Sequence, residues 1–288
     1  MSFAVVLADF APILFGSPLL QAAPDFSDLL ATLERLREFE SVLLYCLAFV
    51  AGIIAGGINT LAGAGSLITL PVLFLMGLSP HDANATNRLG VIFQSLSGMY
   101  GFRKNDSLPA RNIHWYVIPS TAGAILGAYV AATIDAGSMR YSILGAMVLV
   151  LGLLFLEPKR WLRERSEGGQ AYRRPLALFI LFAIGFYGGF VQAGVGVLLL
   201  AGLVLGCGRN LIEANALKLW IVLIATIPAL ALFLYYDQIR FGPGLTLAAG
   251  QLLGAYLAAN YASRSPRANV WIRRLLIVIT VAAIARLI

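Results

Sequence analysis

Apolar runs alternate with short charged clusters along most of the chain, and the runs recur as two sets of five. The first set is 42–57 (A), 64–78 (B), 89–102 (C), 113–133 (D) and 139–156 (E). The second is 175–190 (A′), 195–206 (B′), 217–236 (C′), 243–262 (D′) and 270–287 (E′). An α-helix needs about 20 apolar residues to span the hydrocarbon core. D, E, C′, D′ and E′ approach that length. B and B′, at 15 and 12 residues, are short, and each follows a glycine-rich break. The pattern predicts an all-α polytopic membrane protein with short broken or re-entrant helices.

Ahead of the first set, residues 3–23 are largely apolar, with Asp9 their only charge, and lack the cationic start of a secretory signal. They are expected to form a further span or an interfacial segment. Phe26, Leu29, Leu30, Leu33, Leu36 and Phe39 then recur at helical spacing, which predicts an amphipathic helix lying on the membrane surface. The expected organisation is therefore an N-terminal region over 1–40, a first membrane repeat over 41–156, a basic linker over 157–174 and a second repeat over 175–288.

Composition excludes the soluble alternatives. Of 288 residues, 59% are hydrophobic and 12% charged, about half the charged share of a soluble domain. A net charge of +7 would suggest nucleic acid on a soluble protein. On a membrane protein it first reports orientation, so the lipid bilayer and not nucleic acid is the expected partner. Cys46 and Cys207 show no metal or redox spacing, and His81 and His114 have no ligand partners near them. No metal and no cofactor is expected.

The two sets are copies. Gly63-x-Gly65 answers Gly194-x-Gly196 at a shift of 131, and Asp82-Ala-Asn-Ala85 answers Glu213-Ala-Asn-Ala216 at the same shift. Asp106 answers Asp237, and Gly123-Ala124 answers Gly254-Ala255, again at 131, while Arg88-Leu89 answers Lys218-Leu219 with a one-residue slip. If A and B form two legs, each half makes an odd number of crossings and the halves are inverted relative to each other. Loops 103–112, 157–174, 207–217 and 262–274, with Lys218, then share one side and carry 15 of the 21 Lys and Arg residues. The positive-inside rule makes that side the cytoplasm, with loop 157–174 in it and the bacterial inner membrane as the expected location.

A glycine-rich break before a short apolar helix frees backbone N–H groups that lipid cannot satisfy, so such breaks are tolerated only in protein or beside a cavity. A helix that starts there aims the positive end of its dipole at the cavity's occupant. Gly63, Gly65 and Ser66 in one half, and Gly194 and Gly196 in the other, fit that role. Close helix packing by small residues is the competing account. Helix C carries Asn84, Asn87, Arg88, Gln94 and Ser95 on one face, and C′ carries Asn215, Lys218 and Thr226. Polar stripes inside membrane helices face the bundle or a water path.

Arg88 and Lys218 are expected in the first turn of their helices, where the dipole disfavours a cation unless an anion is bound. Snorkelling to lipid head groups is the alternative, as simple N-capping is for Asn84 and Asn215. Asn59 and Gln192 complete the candidate hydrogen-bonding set. Segments A–E and A′–E′ contain no Asp or Glu, which counts against a cation as substrate. Asp82 and Glu213 flank the C helices, either as proton-coupling groups or as residues favouring a helix start.

Gly56-Gly-Ile-Asn-Thr-Leu-Ala-Gly-Ala-Gly-Ser-Leu-Ile-Thr-Leu-Pro71, Ser79-Pro-His and Ala85-Thr-Asn-Arg-Leu89 resemble the TauE/SafE family of membrane anion transporters. Gly185-Phe-Tyr-Gly-Gly189, Gly194-Val-Gly196 and Ala214-Asn-Ala-Leu-Lys218 are similar to that family's second signature. The resemblance covers about residues 42–288 and brings Thr86 into the candidate substrate-binding set. The family's longer glycine run is here Gly63-Ala-Gly65-Ser66, and Leu217 stands where the family has Thr before the second-half Lys. The resemblance implies export of sulfite or movement of organosulfonates. The expected function is a secondary transporter for small anions, with or without a coupling proton or ion, working by alternating access. A passive anion channel using the same site is the alternative. An enzyme is not expected, because no nucleophile elbow, acid–base cluster or metal spacing lies at membrane depth.

Overall fold

The computed structural model describes residues 24–103, 112–155, 175–209 and 211–260. Met1–Cys46 and Leu47–Ile288 form two compact units, and the site lies in the second. Nine α-helices follow in order among the described residues: α1 (Pro24–Ala62), α2 (Ser66–Leu75), α3 (Pro80–Arg103), α4 (His114–Thr133), α5 (Ala136–Phe155), α6 (Pro175–Phe190), α7 (Val195–Ala201), α8 (Leu211–Tyr235) and α9 (Phe241–Asn260). A π-helical turn, Gly202–Gly206, continues α7. No strand occurs among the described residues. Residues 1–23, linker 157–174 and segment E′ lie outside them.

Among the described residues four helical stretches are long and apolar enough to cross a membrane: Glu38–Ala62, His114–Thr133, Ala136–Leu153 and Glu213–Tyr235. Ser66–Leu75, Pro175–Phe190 and Val195–Gly206 are apolar but shorter, as segments B, A′ and B′ predicted. Helix α1 takes in both the expected surface helix and segment A. Large apolar side chains point outward throughout, Ile118, Tyr141, Leu176 and Phe179 being between 64% and 73% exposed. Water would penalise such a surface, whereas lipid does not.

Helices α3 and α8 differ most from the sequence expectation. They begin at Pro80 and Leu211, not at the first apolar residues, Leu89 and Leu217. Pro is favoured in a first helical turn, where its missing N–H costs nothing. The Ser79 hydroxyl caps the turn by accepting the Asp82 N–H at 3.1 Å. The polar residues between Pro80 and Leu89 therefore lie inside the helix, and Arg88 and Lys218 lie beyond its first turn. Asn84 and Asn215 are likewise interior residues rather than N-caps. Helix α5 has a conventional start, with Asp135 Oδ1 accepting the Ser138 N–H at 2.9 Å.

Close approaches fix the relative directions of the helices. Side chains added at Gly250 and Gly254 would fall on the carbonyls of Phe49 and Ile53, so α1 and α9 run the same way. Gly123 and Gly127 meet the carbonyls of Phe182 and Phe186 likewise, so α4 and α6 also run together. Both crossings are of the small-xxx-small kind that lets backbones touch in lipid. Helix α3 runs with α9, pairing Asp82 with Arg240 and Gly90 with Gln251. It runs against α8, pairing Arg88 with Phe233 and Gly98 with Leu219. It also runs against α6, pairing Asn84 with Phe190 and Arg88 with Gly188.

Candidate functional site

The two glycine breaks meet. Helix α1 ends at Ala62, and Gly63 follows with φ 77°, donating its N–H to the carbonyls of Ile58 at 3.2 Å and Asn59 at 3.0 Å. Only a residue without Cβ takes that conformation cheaply, as at many helix C-termini. A side chain on Gly63 would land on the backbone of Gly196, and one on Gly196 would land on Gly63. The starts of α2 and α7 are thereby held against each other. Gly65 rests on the Ala55 carbonyl and gives its N–H to Asn59 Oδ1 at 3.3 Å. Gly194, with φ 66°, precedes α7 and packs on Val150.

Two buried cations flank this junction, each reaching the other repeat. Arg88 of α3 is 1% exposed. Its Nη1 donates to Gly188 O at 3.1 Å and Gln192 Oε1 at 2.8 Å, its Nη2 donates to Gly189 O, and its guanidinium carbon lies 4.6 Å from the Phe233 ring centroid. Lys218 of α8 is 2% exposed and donates Nζ to Asn59 O and Thr60 O, both at 3.1 Å. These carbonyls belong to the last turns of α6 and α1, where helical partners run out, although Asn59 O also accepts the Gly63 N–H. A cation there meets the negative end of the dipole and hydrogen-bonds these oxygens. Each cation therefore caps a helix end in the other half of the chain.

A polar layer supports the junction. Thr69 donates its hydroxyl to Asn87 Oδ1 at 2.6 Å, and Asn87 Nδ2 donates to Ser66 Oγ at 3.1 Å. Asn84 donates to Phe190 O at 2.9 Å and accepts the Gln192 N–H at 3.4 Å. Thr86 sits apart, accepting the Arg240 N–H at 3.0 Å. There Arg240 also pairs with Asp82 at 3.1 Å. Asn215 stands on the same face as Lys218 with Oδ1 buried and unbonded.

Two small cavities open beside the cations. They share Gln192, Val195 and Val222 in their walls. The first places Arg88 among Ala124, Leu199, Ile221 and Ala225, with Thr226 also present. The second gathers Asn59, Gln94, Ser95, Gln192, Gly196 and Lys218. Of the candidate residues, the structure brings Asn59, Gln94, Gln192, Gly196 and Lys218 to one cavity and Arg88 and Gln192 to the other. Gly63, Gly65, Ser66, Asn84, Asn87 and Gly194 form the scaffold around them.

The capping carbonyls, Phe233 and the Val195 and Val222 walls carry no polar signal in sequence and were not legible there. Ser95 and Thr226, which stand on the two polar stripes, answer each other at the shift of 131. Among the described residues no group of His, Cys, Asp or Glu could hold a metal ion.

Residues 48–287 match the family described as Sulfite exporter TauE/SafE. Among curated relatives, the chain is 35% identical to the probable membrane transporter protein YfcA of Escherichia coli K12, over 80% of this chain and 84% of that one. It is 32% identical to a probable membrane transporter protein of Haemophilus influenzae, over 76% and 83%. It is 29% identical to the probable membrane transporter protein ORF9 of a Sinorhizobium species, over 85% and 92%. No solved structure matches the chain significantly. With its apolar membrane-length helices this is an integral membrane protein, and the chain belongs to the TauE/SafE family.

Proposed function

We propose that this protein is a secondary transporter that moves small anions, sulfite or organosulfonates, by alternating access of two inverted halves. The observation that carries the reading is electrostatic. Arg88 and Lys218 are the buried charged residues of the described chain, and no buried carboxylate accompanies them. An uncompensated buried charge is expensive, and helix-end carbonyls offset only part of that cost. A small anion entering between the two cations supplies the missing counter-charge.

Opposite helix directions support the inverted arrangement. The pairs α1 and α6, α3 and α8, and α4 and α9 correspond in the repeat, and close approaches orient the members of each pair oppositely. The relatives' names support transport. The proposed binding set comprises Asn59, Gly63, Gly65, Ser66, Asn84, Asn87, Arg88, Gln94, Gln192, Gly194, Gly196, Asn215 and Lys218, the glycines and the Ser66–Asn87 layer shaping the site rather than each touching substrate, while Thr86, engaged by the Arg240 N–H, stands outside it. Loop 157–174 faces the cytoplasm of a bacterial inner membrane in this reading.

Counterflow separates a carrier from a passive channel. Proteoliposomes preloaded with unlabelled sulfite are expected to take up labelled sulfite faster than empty ones, with a rate that saturates. Uptake indifferent to preloading, together with discrete single-channel currents, contradicts the carrier and favours the channel.

A further inference from the structure

We infer that the cavity beside Lys218, and not the one beside Arg88, seats the transported anion, and that Gln94 and Ser95 set its affinity. The inference rests on the anion-transport reading and narrows it to one of two related cavities. The two are counterparts: each combines a cation from one repeat with the middle of the C helix of the other. At the middle of α3 stand Gln94 and Ser95. At the corresponding turn of α8 stand Ala225 and Thr226. Duplication built the two cavities alike, and substitution has left one polar and the other largely apolar.

The polar cavity holds hydrogen-bonding capacity that the protein does not use. Gln94 is 2% exposed and Ser95 is fully buried, yet Gln94 Oε1 and Ser95 Oγ have no hydrogen-bond partner. Both side chains line the cavity. Lys218 carries three N–H donors, and the carbonyls of Asn59 and Thr60 take two of them. Asn59 engages the protein through Oδ1 and Gln192 through Oε1, which leaves both amide nitrogens available. Buried polar groups without partners are rare in folded proteins, and each asks for a ligand, a water or a strain account. A small oxyanion answers the donors of this set, its oxygens taking the third Lys218 N–H, the Ser95 hydroxyl and the side-chain amide N–H groups, that of Gln94 included.

The other cavity offers less, Arg88 Nε being the buried donor without a partner in its wall. Arg88 spends three of its donors on Gly188, Gly189 and Gln192 and lies against Phe233, and most of the remaining wall is aliphatic. Gln192 belongs to both walls. Arg88 thus bears on the seated anion through Gln192.

The test compares Ser95→Ala and Gln94→Leu with Thr226→Val, the counterpart change in the other cavity. Each is measured by counterflow of labelled sulfite and labelled methanesulfonate in proteoliposomes, with melting temperature in detergent as a check on folding. Loss of a hydrogen bond to a charged group is expected to raise KM about tenfold or more in Ser95→Ala and in Gln94→Leu, with maximal rate and melting temperature near wild type. Thr226→Val is expected to leave KM within about twofold. Unchanged KM in both α3 variants, or a Thr226→Val effect as large as theirs, would overturn the assignment while leaving anion transport intact. A fall in maximal rate with unaltered KM would overturn it equally. Absence of counterflow in the wild-type protein would overturn the transport reading and this inference with it.

Discussion

Gly63→Ala is expected to eliminate flux and most of the folded protein, because the new methyl group lands on the backbone of Gly196 where the two breaks touch. Nothing there can rotate away, since the obstacle is backbone and not the end of a flexible side chain. The left-handed backbone at φ 77° adds about 1–2 kcal/mol for any residue carrying Cβ. Gly196→Ala meets the same obstacle from the other side. Gly77→Ala isolates the conformational part, because Gly77 has φ 83° but open space around its Cα. It is expected to lose only about 1–2 kcal/mol and to keep most of its flux. Yield on size exclusion in detergent, followed by counterflow, distinguishes the three. Normal yield and flux in Gly63→Ala would mean that the breaks do not need to touch.

The second large effect concerns the cations. In Arg88→Met the carbonyls of Gly188 and Gly189 and the amide oxygen of Gln192 lose their donor inside the protein. Each orphaned buried acceptor costs about 1–3 kcal/mol, so a marked fall in melting temperature is expected along with loss of flux. Arg88→Lys keeps the charge but not the fork that spans the carbonyls of successive residues and Gln192, and is expected to recover stability only in part. Lys218→Met frees Asn59 and Thr60 in the same way and also removes a ligand donor, so it is expected to lose flux even where osmolytes restore folding. Full stability in both Met variants would contradict the cross-capping role.

These expectations show what could be read from the residues and what could not. The shift of 131 that links Gly63-x-Gly65 to Gly194-x-Gly196 located both breaks, because glycine before a short apolar run has a distinct composition. A shift one residue shorter marked Arg88 and Lys218 as related. Their surroundings were not legible. A stretch such as Pro80–Arg88 reads as a polar connection by hydropathy, and only the partners supplied by α2, α6 and α9 make it helix. Carbonyl oxygens leave no trace in a sequence, so the use of each cation as a cap on the opposite repeat emerged only from the fold. Ser95 was visible on the stripe, but its lack of a partner was not.

The central claim is that a core with two buried cations and no buried carboxylate among its described residues selects anions. It is tested most directly by charge at constant shape. Proteoliposomes are offered labelled methanesulfonate and its uncharged near-isostere dimethyl sulfone, with empty liposomes correcting for passive leak. The account predicts that protein-dependent uptake of methanesulfonate exceeds that of the sulfone by about tenfold or more, a difference of about 1.4 kcal/mol. Equal protein-dependent uptake of the two would contradict it.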